Sequence, residues 1–179
     1  RTEQVMYTDE KEISSALVRL SNPEKRNIYF LTGHGEYELD GTSDRIYGMV
    51  KAELEAKNYT IQTLNLLVKP EIPEDALAIV IAGGKVSLNQ EEVDILKGFL
   101  EKGKAVVWLD NPSAESGIKA EDDLFAAYLE SDWGITIDDD LMIDTNVNPP
   151  TVLVADKYGN HPIVNKLQGL VTLFPGARS

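Results

Sequence analysis

The run Ala76-Leu77-Ala78-Ile79-Val80-Ile81-Ala82, closed by Gly83-Gly84, constrains this chain more than any other stretch. It is the longest purely apolar run, and at seven residues it falls far short of the roughly 18 that a membrane-spanning helix takes. It also lacks the alternation that would leave one face to water. Leu77–Ala82 therefore reads as a strand covered on both faces, the environment of a parallel sheet sandwiched between helices.

The rest of the chain supplies the partners that such a sheet requires. Glu10–Leu20 carries Ile13, Ala16, Leu17 and Leu20 at helical spacing, with Thr8 or Asp9 to cap it and Ser21-Asn22-Pro23 to stop it. Asn27–Thr32 (NIYFLT) is β-branched and aromatic, a second buried strand. Ser43-Asp44 caps a helix whose stripe is Ile46, Tyr47, Val50 and Leu54, running to about Lys57. Tyr59–Leu64 alternates as a strand, and Pro70 to Asp75 connects it to the next one. Asn89 caps a helix with Val93, Leu96, Phe99 and Leu100 on one side, closed by Lys102-Gly103-Lys104. Ala105–Leu109 (AVVWL) is a further buried strand, and Asp122 to Glu130 a further helix. Alternating strands and helices imply right-handed crossovers and a parallel sheet in the order 2-1-3-4, with the switch point between the first and third strands. Beyond Trp133-Gly134 the rhythm fades. Ile135–Ile143, Thr151–Val154 and Leu170–Phe174 read as short strands that extend the same single α/β domain.

Composition narrows the function. With 42% hydrophobic and 26% charged residues, the chain of 179 residues is globular. Its net charge of −13 argues against nucleic acid or an anionic membrane surface as the main partner, since both select basic patches. Cysteine is absent, which removes thiol nucleophiles, disulfides and thiolate metal sites. Histidine chemistry is left to His34 and His161 alone.

In open α/β sheets ligands bind beyond the carboxyl ends of the strands. Three such ends carry distinctive residues: Gly33-His34-Gly35-Glu36, Gly83-Gly84-Lys85 and Asp110-Asn111-Pro112. The candidate ligand site is therefore Gly33, His34, Gly35, Glu36, Gly83, Gly84, Asp110 and Asn111. Nucleotide phosphates are not expected there. Glu38 stands where a third glycine belongs, Glu36 would meet the phosphate, and neither a phosphate-binding loop nor a nucleophile elbow occurs. No cofactor and no metal is expected. Asp138-Asp139-Asp140 with Asp144 lacks the glycine and terminal Glu of a calcium loop, and reads as a solvated acidic turn. His161, in Tyr158-Gly159-Asn160-His161-Pro162, reads as a local cap.

Several of these segments resemble a known family. Asn27–Glu36 (NIYFLTGHGE), Pro73–Gly84, Ser87–Leu100, Gly103–Pro112 and Tyr158–Ile163, in that order, resemble the auxiliary domain of ABC-type transport systems of the gliding-motility kind. The same domain is similar to one in intraflagellar transport proteins. The resemblance implies a three-layer α/β fold of the flavodoxin or class I glutamine-amidotransferase type. It implies a membrane-anchored parent protein, with this part outside the cytoplasm and working beside an ABC permease and ATPase. An active glutaminase is excluded, because a thioester needs a thiol and Gly83-Gly84 stands at the nucleophile's turn.

The expected function is thus a non-catalytic extracytoplasmic accessory domain. It would bind a protein partner or a small ligand at the strand-end rim. A saccharide held by Tyr37, Trp108 and Asn111 is one such ligand, although Trp108 lies in a buried strand. The chain reads as the excised soluble part of a longer protein, attached to the membrane through segments outside it. The competing reading is a hydrolase or lyase using His34 with Glu36 or Asp110.

Overall fold

The structure, a computed structural model, describes residues 9–21, 26–39, 45–110 and 113–179. It divides into two compact units, Arg1–Asp110 and Asn111–Ser179. The expected caps at Ser43-Asp44 and the candidate Asn111 lie outside the described residues.

The first unit is a parallel four-stranded sheet with helices on both faces. Its elements are α1 (Glu10–Ser21), β1 (Arg26–Leu31), α2 (Arg45–Ala56), β2 (Tyr59–Leu64), β3 (Ala76–Ala82), α3 (Gln90–Glu101) and β4 (Ala105–Leu109). The strand order is β2-β1-β3-β4, as the sequence predicts. Register is set by apolar pairs: Ile28 opposite Ile61, Leu31 opposite Leu64, Phe30 opposite Val80, and Ile81 opposite Trp108.

Right-handed crossovers fix the layers. The β1-α2-β2 unit moves one way along the sheet and β3-α3-β4 the other, so α2 and α3 fall on opposite faces. On the α2 face, Ile28, Phe30, Val80, Ala82 and Leu39 form one buried cluster, with Tyr47 and Leu54 of the helix packed against it. The alternate positions Tyr29, Leu31, Ile79 and Ile81 are buried on the other face. Helix α3 buries Val93, Leu96 and Phe99 there, each apolar side chain contributing about 1.5–3 kcal/mol. Val107 and Leu109 of β4 share the α2 face yet remain exposed.

No helix joins β2 to β3. The segment from Asn65 to Asp75 runs back along the sheet and passes β1 to reach the far side. It buries Leu66, and Asp75 ends it by accepting hydrogen bonds from Asn27 Nδ2 and from the Tyr29 hydroxyl, the latter at 3.0 Å.

The second unit is built from smaller pieces. A single turn, α4 (Ser113–Ser116), and a 3-10 turn at Ala120–Asp122 lead to α5 (Leu124–Tyr128). The predicted helix from Asp122 therefore begins two residues later. Asp123 is its cap, accepting from the amides of Phe125 at 2.9 Å and Ala126 at 3.3 Å. A π-helical turn, Leu129–Trp133, follows and ends at Gly134 with φ +69°. β5 (Val152–Ala155) and β6 (Thr172–Pro175) pair antiparallel, pinned by a hydrogen bond between the Tyr158 and Thr172 hydroxyls. The strand expected at Ile135–Ile143 is not formed. Asp138 and Met142 do donate backbone hydrogen bonds to Ser179 and Ala177, but the three consecutive aspartates bond to side chains and loops rather than to a ladder.

Candidate functional site

The rim is built outward from β1. Leu31 is buried and anchors the strand end, while Thr32 donates from its amide to Leu64 O at 2.8 Å. The chain then turns sharply, with Gly33 at φ +121° and Gly35 at φ +81°. Both glycines are also needed for space. A Cβ on Gly33 would lie 3.1 Å from Asn65 Nδ2, and one on Gly35 would lie 3.2 Å from Lys85 Cβ.

These turns drive His34 inward. It is only 3% exposed. Its carbonyl accepts from the amides of Lys85 at 2.7 Å and Val86 at 3.1 Å, which staples the β1 loop to the β3 loop. Its amide donates to Glu36 Oε2 at 2.7 Å. The imidazole Nδ1 lies 3.3 Å from Glu36 Oε1, and Nε2 lies 3.0 Å from Glu92 Oε2. Gly83 donates to Leu109 O at 2.7 Å, and Tyr37 to Ala82 O at 3.0 Å, so the third strand end is tied to both neighbours.

Glu92 is the residue that sequence reasoning passed over. It is the N3 position of α3 and forms a capping box with Asn89. The Asn89 side chain accepts from Glu92 N at 3.1 Å, and Glu92 Oε2 accepts from Asn89 N at 3.0 Å. The Asn-x-x-Glu spacing announces that box. Nothing local announces that the same carboxylate oxygen also reaches His34. Among the described residues, Glu92 Oε1 is buried with no hydrogen-bond partner.

The predicted residues separate into groups. Gly33, His34, Gly35, Glu36, Gly83 and Gly84 meet at one place. Asp110 directly follows Leu109, whose carbonyl accepts from the Gly83 amide at 2.7 Å, while β3 lies between its strand and the His34 loop. Of the aromatic residues considered for a saccharide, Tyr37 stacks on Tyr47 with centroids 4.9 Å apart, and Trp108 is half-buried. Three large apolar side chains are exposed on the segments that border the loop. Leu67 (55% exposed) lies beside Gly33, Val68 (81%) follows it, and Val86 (61%) sits next to the Lys85 that covers Gly35.

Titratable groups elsewhere have structural partners. Burial pushes the Tyr29 hydroxyl above its ordinary pKa, and the hydrogen bond to Asp75 and that residue's charge add to the rise. In the second unit the Ser179 amide and hydroxyl hold Asp140 below the usual carboxylate range. Asp144 accepts from the Asn146 amide, and His161 Nδ1 accepts from the Ile163 amide at 3.2 Å, a local cap. A cavity of about 440 Å³ is lined by Ala120, Glu121, Ala126, Glu130, Asp138 and Asp139 among others. Among the described residues, no group of three or more His, Asp or Glu is placed to hold a metal ion, and no helix is long and apolar enough to cross a membrane.

The family model described as an ABC-type uncharacterized transport system matches residues 25–179. The chain belongs to this family. No curated protein matches it. A solved structure, the mmIFT52 N-terminal domain, is similar to this family member with a TM-score of 0.66 at 18% identity. The likeness covers 85% of this chain and 66% of that one, and it shows the α/β fold.

Proposed function

We propose that this chain is a non-catalytic accessory domain of an ABC-type transport system. It lies on the extracytoplasmic side, attached through membrane segments outside it. The strand-end rim of its α/β unit docks a partner protein, the permease of the system. The observation that carries this reading is the rim itself. Leu67, Val68 and Val86 expose apolar surface around a glycine loop that is rigidly bonded from behind. Exposed apolar side chains on a rigid support are a common mark of a protein interface. A catalytic role for His34 fits poorly, because both ring nitrogens face protein carboxylates in a buried position. The family match runs through both compact units, which supports treating them as one functional domain.

Photo-crosslinking in intact membranes tests the reading. A reactive side chain introduced at Val68 or Val86 of the full-length protein is expected to give a permease adduct. The same group at Met49, exposed on α2, is expected to give none. Equal labelling from all positions, or no permease adduct from the rim, overturns it.

A further inference from the structure

We propose that the Glu36–His34–Glu92 cluster stores one proton beyond that of a neutral imidazole, so that the loop's hold on α3 weakens as pH rises. The argument is a count of donors. A neutral imidazole has one N–H and one bare lone pair. Here each ring nitrogen is aimed at a carboxylate oxygen, at 3.3 Å and 3.0 Å. A bare lone pair set against an ionised carboxylate is repulsive and leaves two acceptors facing each other. Both lines therefore carry a proton, whether both sit on the ring or one sits on a carboxyl. In either arrangement the cluster's charge is −1 instead of −2.

The surroundings enforce the count. The side chains of His34, Glu36 and Glu92 are 4%, 3% and 2% exposed, so water does not screen two like charges. Glu36 Oε2 takes the His34 amide, and Glu92 Oε2 also takes the Asn89 amide. A proton on the unpartnered Glu92 Oε1 would have nothing to donate to. The other charged groups near the cluster are Lys85, whose stem crosses Gly35, and Glu91, exposed in the first turn of α3. The positive end of the α3 dipole favours the ionised Glu92 carboxylate, which keeps the demand for a proton on the ring.

Glu36→Gln separates this device from simple packing. There the amide nitrogen takes the place of Oε1 and donates to Nδ1 while the amide oxygen still accepts from the His34 amide, so the latch closes without a stored proton and the Asn89–Glu92 capping box is untouched. Unfolding free energy of the whole chain is measured against pH above about 6.5, where an unfolded histidine has given up its proton. The parent protein is expected to lose up to tenfold in its folded-to-unfolded ratio per pH unit relative to Glu36→Gln, the slope of one extra native proton. Parallel profiles for the two proteins overturn the proposal. If Glu36→Gln does not fold, the ring nitrogen and carboxyl carbon resonances of the parent decide at about pH 8, well above the ~6.5 of a free histidine. His34 is then expected to show a doubly protonated ring, or a neutral ring beside a protonated Glu36 or Glu92 carboxyl; a neutral ring with both carboxyls ionised overturns the proposal.

Discussion

Gly35 holds the loop in a backbone conformation that side chains rarely adopt, with Lys85 Cβ already at contact distance. Gly35→Ala is expected to lower stability by about 1–3 kcal/mol, read as a shift in the urea midpoint at unchanged slope. Tyr29 answers a different question. Its folded pKa is raised by burial and by Asp75, so the native state favours the protonated, neutral phenol. That stability is fully present below the unfolded value near 10 and is lost as pH rises through the higher folded value. Tyr29→Phe is expected to flatten the alkaline limb of a stability–pH curve while leaving the neutral region nearly level. An unchanged alkaline limb would contradict the assignment.

Helix α3 carries much of the first unit's order, and its parts are separable. Asn89→Ala removes one side of the capping box and is expected to cost about 1 kcal/mol. Leu96→Ala empties a fully buried site and is expected to cost about 2–5 kcal/mol, with a drop in thermal midpoint several times larger than that of Asn89→Ala. Elements of this kind were legible in advance, because an apolar run such as Ala76–Ala82 and a cap such as Asn89 are local statements about burial and backbone hydrogen bonds. The candidate site was legible only by half. Glycines at strand ends pointed to the His34 loop, but the contact between His34 and Glu92 spans 58 positions and depends on where α3 lands. Topology groups Asp110 with the rim: it follows Leu109, which bonds Gly83, with β3 between its strand and the His34 loop. At Ile135–Ile143, alternating apolar residues imitated a strand, whereas the aspartates between them satisfy loop amides instead.

Over the whole molecule, charge and apolar exposure oppose each other. A net charge of −13 accompanies exposed Trp133, Ile163 and Phe174 in the second unit and Leu67 and Val68 in the first. Mutual repulsion keeps such surfaces apart, so light scattering is expected to rise as pH is lowered towards the isoelectric point near 4.5, and to fall again below it. Scattering that is flat across that point would show that charge is not what separates the molecules. The segment from Asn65 to Asp75 has a mechanical meaning at the same scale. It is fastened beside Gly33 at the carboxyl end of β1 and to Asn27 and Tyr29 nearer the other end, like a belt with two buckles on one rod. Slack inserted anywhere along that belt would loosen both fastenings together, so the rim and the base of the sheet keep their alignment through a length of chain rather than through a layer of packing.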